Sequence, residues 1–224
     1  MRKLDIKGIG MTSQRTRDRL IDRIEHLGIK NQDVLRVMRL VPRHLFMDAA
    51  LSSRSYENTA LPIGHGQTIS QPYIVARMTE LLLEGHDDKL ENILEVGTGS
   101  GFQAAVLGSL VKNLHTVERI LPLYRHARDL LYDLGYRNIH VHHADGTWGW
   151  KNTAPYDAIM VTAAPDEIPD SLIKQLKIGG RMIIPVGENN GEQILQLLIR
   201  TSESDHIIEN YESVLFVPFL QQES

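Results

Sequence analysis

The stretch "ILEVGTGSGF", residues 93–102, decides the fold. Ile93 to Val96 reads as a buried strand that runs straight into Gly97, Gly99 and Gly101, after which a helical pattern begins. Glycine permits a tight turn and lets a ligand approach the backbone closely, while a helix start offers N–H groups without partners. Open α/β sheets bind nucleotides at this kind of turn, at the C-terminal end of a parallel strand. Gly99, Gly101 and Ala104 also fit the G-x-G-x-x-A form of a dinucleotide fingerprint, so the turn alone does not separate NAD from another adenosine ligand.

Downstream of this turn, strands and helices alternate. LHTVE (114–118) reads as a strand, Pro122 opens a helix that runs through Leu134 to a stop at Gly135, and NIHVHHAD (138–145) is a third strand. YDAIMVTAA (156–164) is a fourth strand, IPDSLIKQL (168–176) a helix and RMIIPVG (181–187) a fifth strand. Two β-like runs close the chain, QILQLLIR (193–200) and YESVLFVPF (211–219), with no helical pattern between them. This order predicts a Rossmann-like, doubly wound, mostly parallel sheet covered on both faces, with an antiparallel C-terminal edge hairpin.

Upstream, the texture is helical. TSQRTRDRLIDRIEHL (12–27) places Leu20, Ile21, Ile24 and Leu27 on one stripe and stops at Gly28, while Arg15, Arg17, Arg19 and Arg23, interleaved with Asp18 and Asp22, read as a solvated face. Asn31 caps a second helix that Pro42 ends. Residues 43–66 read as irregular, and LPIGHGQTISQPYIVARM (61–78) passes from loop to helix with Ser70 as N-cap and Pro72 in the first turn. The expected organisation is residues 1–90 as a helical, substrate-side segment packed on a catalytic core of residues 91–224, together one compact unit.

Three acids point to the ligand. Glu95 sits one residue before Val96 and is placed for a cationic group; Glu118 ends the next strand and suits a ribose diol; Asp145 ends the third and suits an adenine amino group. NAD brings a pyrophosphate that three carboxylates repel, whereas S-adenosylmethionine brings a cationic amino acid, a ribose and an adenine. A P-loop and a G-x-S-x-G elbow are both absent. The chemistry therefore reads as a class I S-adenosylmethionine-dependent methyltransferase, with an NAD(P)-dependent oxidoreductase as the alternative. Composition agrees with an intracellular enzyme. The net charge of −4 disfavours a nucleic-acid binder, the chain has no cysteine, and no apolar run reaches membrane-spanning length. Among His140, His142 and His143 only the first and second share a strand face, so no metal is expected; Trp148 and Trp150 read as packing residues.

The sequence resembles the protein-L-isoaspartate (D-aspartate) O-methyltransferases of bacterial type, from about residue 12 onward. The resemblance rests on GQTISQPYIVARM (66–78), LEVGTGSGF (94–102), HTVERI (115–120), ADGTWGW (144–150), PYDAIMVTAA (155–164), GGRMIIPVG (179–187) and LFVPF (215–219). Phe102 stands where tyrosine is common and Ala144 where glycine often precedes the aspartate. The resemblance implies that S-adenosyl-L-methionine is the cofactor and that the substrate is the α-carboxylate of an L-isoaspartyl residue in a damaged peptide or protein. It makes Ser70 the active-site serine, with Gln67 and Thr68 beside it between cofactor and substrate. Thr98 and Ser100 within the glycine turn, Arg119 after Glu118 and Gly146 after Asp145 complete the expected cofactor site. His65 and Val217 are expected at the substrate, with backbone groups around Val217 pairing to the peptide. A monomeric cytoplasmic enzyme is expected. Another methyl acceptor on the same fold, and a cofactor-binding module without catalysis, remain the alternatives.

Overall fold

The computed structural model describes residues 5–85, 89–188 and 191–220. Helices α1 (Gln14–His26) and α2 (Gln32–Leu40) follow the expected boundaries closely. Gly28, at φ 113°, closes α1: its N–H reaches the carbonyl of Glu25 at 3.0 Å and the N–H of Ile29 that of Ile24 at 3.4 Å, with both isoleucines buried. The Asn31 side chain accepts from the N–H groups of Asp33 and Val34, so it caps α2 as its residue type predicts. Arg17 departs from the solvated face expected of it. It is buried, its guanidinium donates to the carbonyl of Ile6 and lies 5.6 Å from the centroid of the Tyr56 ring. Arg15, Arg19 and Arg23 do face solvent.

The segment read as irregular holds two 3-10 turns, Arg43–Phe46 and Ala49–Arg54, and then a strand. β1 (Leu61–Gly64) pairs antiparallel with β2 (Gln67–Ile69) through His65 and Gly66, whose φ values of 54° and 68° are those that two-residue hairpin turns require. Helix α3 (Pro72–Leu83) has Gln71 as its N-cap, without a side-chain cap bond, so Ser70 does not cap it. Asn58 takes over that task from outside the helix, its Oδ1 accepting from the N–H of Tyr73 at 2.9 Å.

The main sheet then builds in chain order: β3 (Asn92–Val96), α4 (Phe102–Gly108), β4 (Asn113–Glu118), α5 (Leu121–Asp133), β5 (Ile139–His143), β6 (Tyr156–Val161), α6 (Asp170–Ile173), β7 (Leu176–Val186), β8 (Gln193–Arg200) and β9 (His206–Val214). Its spatial order is β5-β4-β3-β6-β7-β8-β9, parallel from β5 to β7 and antiparallel from β7 to β9. Two boundaries differ from expectation. The helix read over 168–176 is one turn long because Tyr156 pairs with Leu176 and draws that residue into β7. The last strand is not 211–219 but His206–Val214, fixed by pairs such as Leu198 with Ile208, and residues 215–219 leave the sheet.

Alternation along the strands divides the core. Ile93, Leu114, Met160, Ile183 and Leu197 face one cluster that also takes buried apolar residues from each of α1 to α5. Leu94, Val96, Val117, Ile159, Val161 and Ile184 face a second, smaller cluster, with Leu172 of α6. The N-terminal helices thus share one continuous core with the sheet. Glu80 of α3 adds a polar tie, its Oε1 accepting from the N–H groups of Lys30 and Asn31 at 2.7 and 2.8 Å.

Candidate active site

The chain runs outward from β3 to β5 on one side and then returns to β6 on the other, so the order reverses between β3 and β6. At such a switch point the connections after neighbouring strands diverge and leave a crevice. A cleft of about 830 Å³, open to solvent, lies there. It is lined by the glycine turn, by Glu118 at the end of β4 and Arg119 after it, by Gly146, and by Gln67, Thr68, Ile69 and Ser70. The segment Val217–Leu220 forms a further wall. Residues far apart in the chain, expected to act together, therefore meet in one cavity.

The glycine turn is held from within. The N–H groups of Gly97 and Thr98 both point to the carbonyl of Val117, at 2.9 and 3.1 Å, and that of Gly101 to the carbonyl of Thr98 at 2.8 Å. The N–H of Gly99 donates to Glu118 Oε2 at 2.8 Å, and that of Ile120 to Glu118 Oε1 at 2.8 Å. A turn that spends these donors internally, and sets a carboxylate at its mouth, suits a cationic or hydroxyl-bearing ligand and opposes a pyrophosphate. That donor set fits S-adenosylmethionine and not NAD. Each glycine answers a different demand. A Cβ on Gly97 falls 2.3 Å from Thr162 Oγ1, one on Gly101 3.3 Å from the Cβ of Ala127, and one on Gly99 meets only Ile63, at 3.7 Å. Gly97 and Gly101 serve close packing, and Gly99 leaves the cleft side open.

Glu95, Gly101, Asp145 and His65 are expected site residues that do not line the cleft. Glu95 lies on the α4 side of the sheet with Ile93 and is fully buried. Its Oε2 accepts from Thr116 Oγ1 at 2.6 Å, Thr116 Oγ1 lies 2.7 Å from Thr98 Oγ1, and Oε1 has no partner among the described residues. Burial, only partly offset by the Thr116 hydroxyl, pushes the Glu95 carboxyl up to about 8; the nearby Glu118 charge adds to the shift. Thr98 lines the cleft, so this carboxyl reaches the ligand side through two hydroxyls. Asp145 caps the turn Gly146–Trp148 by accepting from the N–H of Thr147 at 2.9 Å. Gly146 reaches the cleft itself, and a Cβ there would fall 2.4 Å from Val96 Cγ1. His65 is exposed in the hairpin turn.

Val217 lines the cleft in a segment that is tied to Ala164. Its carbonyl accepts from the N–H of Ala164 at 2.9 Å, and the N–H of Phe219 donates to the carbonyl of Ala164 at 2.8 Å. Phe216 is held by the side-chain amide of Gln193, which accepts from its N–H at 2.6 Å and donates to its carbonyl at 3.1 Å. Thr162, at the C-terminal end of β6, was not foreseen. Its hydroxyl donates to the carbonyl of Gly97 at 2.7 Å, and its place beside the switch point is the signal that marks it. Trp148 is 62% exposed rather than packed, whereas Trp150 stacks on His142 with ring centroids 4.0 Å apart. His115, overlooked in the sequence, lies between His140 and His142, its Nδ1 3.1 Å from His142 Nε2. Burial, then the His140 and His142 charges, pushes it down to about 4. Among the described residues no three side chains are arranged to hold a metal ion.

Comparison with known proteins agrees with this geometry. The family model described as protein-L-isoaspartate(D-aspartate) O-methyltransferase matches residues 15–224. A protein-L-isoaspartate O-methyltransferase of Cellvibrio japonicus is 55% identical over 222 residues, covering 98% of each chain. One of Halorhodospira halophila is 53% identical over 222 residues, covering 99% of each. Among solved structures, a protein-L-isoaspartate O-methyltransferase superposes with a TM-score of 0.81 at 27% identity, over 90% of this chain and 65% of that one. A Plasmodium falciparum chain solved with S-adenosyl-L-homocysteine shares the fold, with a TM-score of 0.77 at 23% identity over 92% of this chain and 99% of its own. The cleft at the switch point, lined by both the serine-bearing segment and the glycine turn, and the match along nearly the whole chain place it in one group: the chain belongs to the protein-L-isoaspartate(D-aspartate) O-methyltransferase family.

Proposed function

We propose that this chain transfers a methyl group from S-adenosyl-L-methionine to the α-carboxylate of L-isoaspartyl residues, and of D-aspartyl residues where they fit, in damaged peptides and proteins. The observation that carries the reading is Ser70. It is half-buried, it lines the same cleft as the glycine turn, and its side chain makes no hydrogen bond to the described residues. When bound, the cofactor supplies an electrophilic methyl group on a sulfonium.

The residues of the chain supply position. An α-carboxylate is ionised at neutral pH, its ordinary pKa being about 3.5, so its attack needs no general base. Among the described residues the titratable side chains lining the cleft are Glu118 and Arg119, with no histidine or lysine, and a base-dependent acceptor would be poorly served. Ser70 donates to one carboxylate oxygen and holds the other in line with the methyl group. Glu118 accepts from the ribose hydroxyls while its bonds to Gly99 and Ile120 keep it aimed. Gly97 to Ser100 let the ligand lie against the backbone, Gly146 and the Asp145 turn border the adenine, and Gln67, Thr68 and Arg119 close the remaining sides. Glu95 acts on the cationic amino acid end through Thr116 and Thr98. Val217 and its neighbours flank the peptide, and residues 1–90 form the substrate side. The same reading makes the protein a cytoplasmic monomer that acts on peptides rather than nucleic acid, supported by a net charge of −4 and the absence of cysteine. Among the described residues no helix is long and apolar enough to cross a membrane.

The test is labelled methyl transfer to two synthetic peptides that differ only in one normal or isoaspartyl linkage. Base-labile label on the isoaspartyl peptide alone is expected; equal labelling of both would remove the repair reading. For Ser70→Ala, turnover is expected to fall by roughly 100-fold, as for loss of one orienting donor, with cofactor affinity kept within about twofold. Loss of cofactor binding with turnover intact would overturn the assignment of Ser70.

A further inference from the structure

Gln103, in the first turn of α4, lines the cleft and is only 8% exposed. Its Nε2 donates at 3.0 Å to the hydroxyl of Thr79, a fully buried residue of α3. That hydroxyl has a single proton, and it goes to the carbonyl of Val75 at 2.7 Å. Towards Gln103 the hydroxyl is therefore an acceptor, which fixes the rotation of the amide: Nε2 faces α3 and Oε1 is the free end. Oε1 accepts from no described residue, and it is not one of the unpartnered side-chain atoms sealed from solvent. Gln103 is thus anchored by one end of its amide and offers the other, an acceptor, to the cleft.

The rest of the lining selects the group that meets this acceptor. Glu118 and Gly146 take the ribose and adenine, and Ser70 the acceptor carboxylate beside the sulfonium methyl. The amino-acid arm of the cofactor leaves the sulfur away from the ribose. The lining left for it lies where α3 and α4 are joined, at Val75, Phe102 and Gln103. On that arm an ammonium only donates and a carboxylate only accepts, so a carbonyl oxygen selects the ammonium. We propose that Gln103 Oε1 accepts a hydrogen bond from the α-ammonium of S-adenosyl-L-methionine, with Thr79 setting the orientation of the amide. This inference rests on the methyltransferase reading above. Methyl transfer leaves the ammonium unaltered, and the product S-adenosyl-L-homocysteine carries it as well. Gln103 therefore holds both forms alike, and its role is read in cofactor affinity.

The experiment is a calorimetric titration of the full chain with two ligands: S-adenosyl-L-homocysteine, and its analogue in which hydrogen replaces the α-amino group. For Gln103→Met, affinity for S-adenosyl-L-homocysteine is expected to fall roughly 30-fold, as for loss of a hydrogen bond to a charged group. Affinity of the same variant for the desamino analogue is expected to change by less than about twofold. Gln103→Glu keeps an acceptor in place and is expected to retain the preference for the amino ligand, which controls for a general disturbance of α4. Thr79→Val frees the amide to turn and is expected to weaken S-adenosyl-L-homocysteine several-fold, again sparing the analogue. An equal loss for both ligands in Gln103→Met, or no preference in Gln103→Glu, would overturn this inference and leave the methyltransferase reading standing. Unchanged affinity for both ligands with a raised KM for the isoaspartyl peptide would also overturn it, by placing Gln103 at the peptide. If the wild-type protein binds neither ligand, the cofactor reading itself fails, and this inference with it.

Discussion

Glu118 does two things with one carboxylate: each oxygen accepts a backbone N–H at 2.8 Å, from Gly99 and Ile120, and the group still borders the cleft. Glu118→Ala is expected to loosen the glycine turn and remove the ribose acceptor, lowering cofactor affinity by roughly 100-fold or more in a calorimetric titration. Glu95 is the opposite case, a carboxyl kept neutral. The folded state holds its proton to about pH 8, whereas the unfolded chain releases it near the ordinary value of 4.5. Between those values the folded state binds more protons, so this group's contribution to stability falls as pH rises. Glu95→Gln keeps the neutral shape and removes the titration. The melting temperature of the variant, relative to wild type, is expected to climb between pH 5 and pH 8.5, and parallel pH profiles would show that Glu95 is ionised in the fold. Both acids were legible as candidates from their positions at strand ends. Their different states were not, because burial depends on which sheet face α3 and α4 cover.

At the scale of elements, the turns and caps were the most readable features. Gly28 and Gly135 end α1 and α5 in the same way: the N–H of Gly135 reaches Tyr132 and that of Tyr136 reaches Leu131, as Gly28 and Ile29 do with Glu25 and Ile24. These are contacts within a few residues, and residue type alone points to them. The cap of α3 is different. Ser70 is a good capping residue by type, yet Asn58, fifteen residues upstream of Tyr73, makes the bond. Asn58→Ala is expected to cost about 1 kcal/mol, lowering the melting temperature by about 2–4 °C. Ser70→Ala should leave the melting temperature nearly unchanged, which separates a site residue from a cap in the same experiment. His65 offers a further check. Held at φ 54° in the hairpin turn, it is expected to accept His65→Gly without loss of stability.

Across the whole molecule, the cleft depends on a segment that belongs to no strand. Residues 215–219 carry an apolar pattern that suits a strand, and the family resemblance places them at the peptide, but the sheet ends at Val214. What holds them is Gln193, buried on β8, and Ala164 after β6. Gln193→Ala frees both polar groups of Phe216 and is expected to raise the KM for an isoaspartyl peptide several-fold while cofactor affinity changes less. Equal damage to both would show that Gln193 supports the fold rather than this wall. The sequence by itself determined the alternation of strands and helices, the glycine turn, the helix stops and the three acids, because each depends on periodicity or on bonds between near neighbours. Only the tertiary structure decided that Ser70 and Glu118 line one cleft, that Glu95 is buried outside its lining, and that the wall at Val217–Leu220 borders a second, acidic groove. Those relations come from strand order and from side-chain partners far apart in the chain, and a linear pattern carries no record of which distant segments will meet.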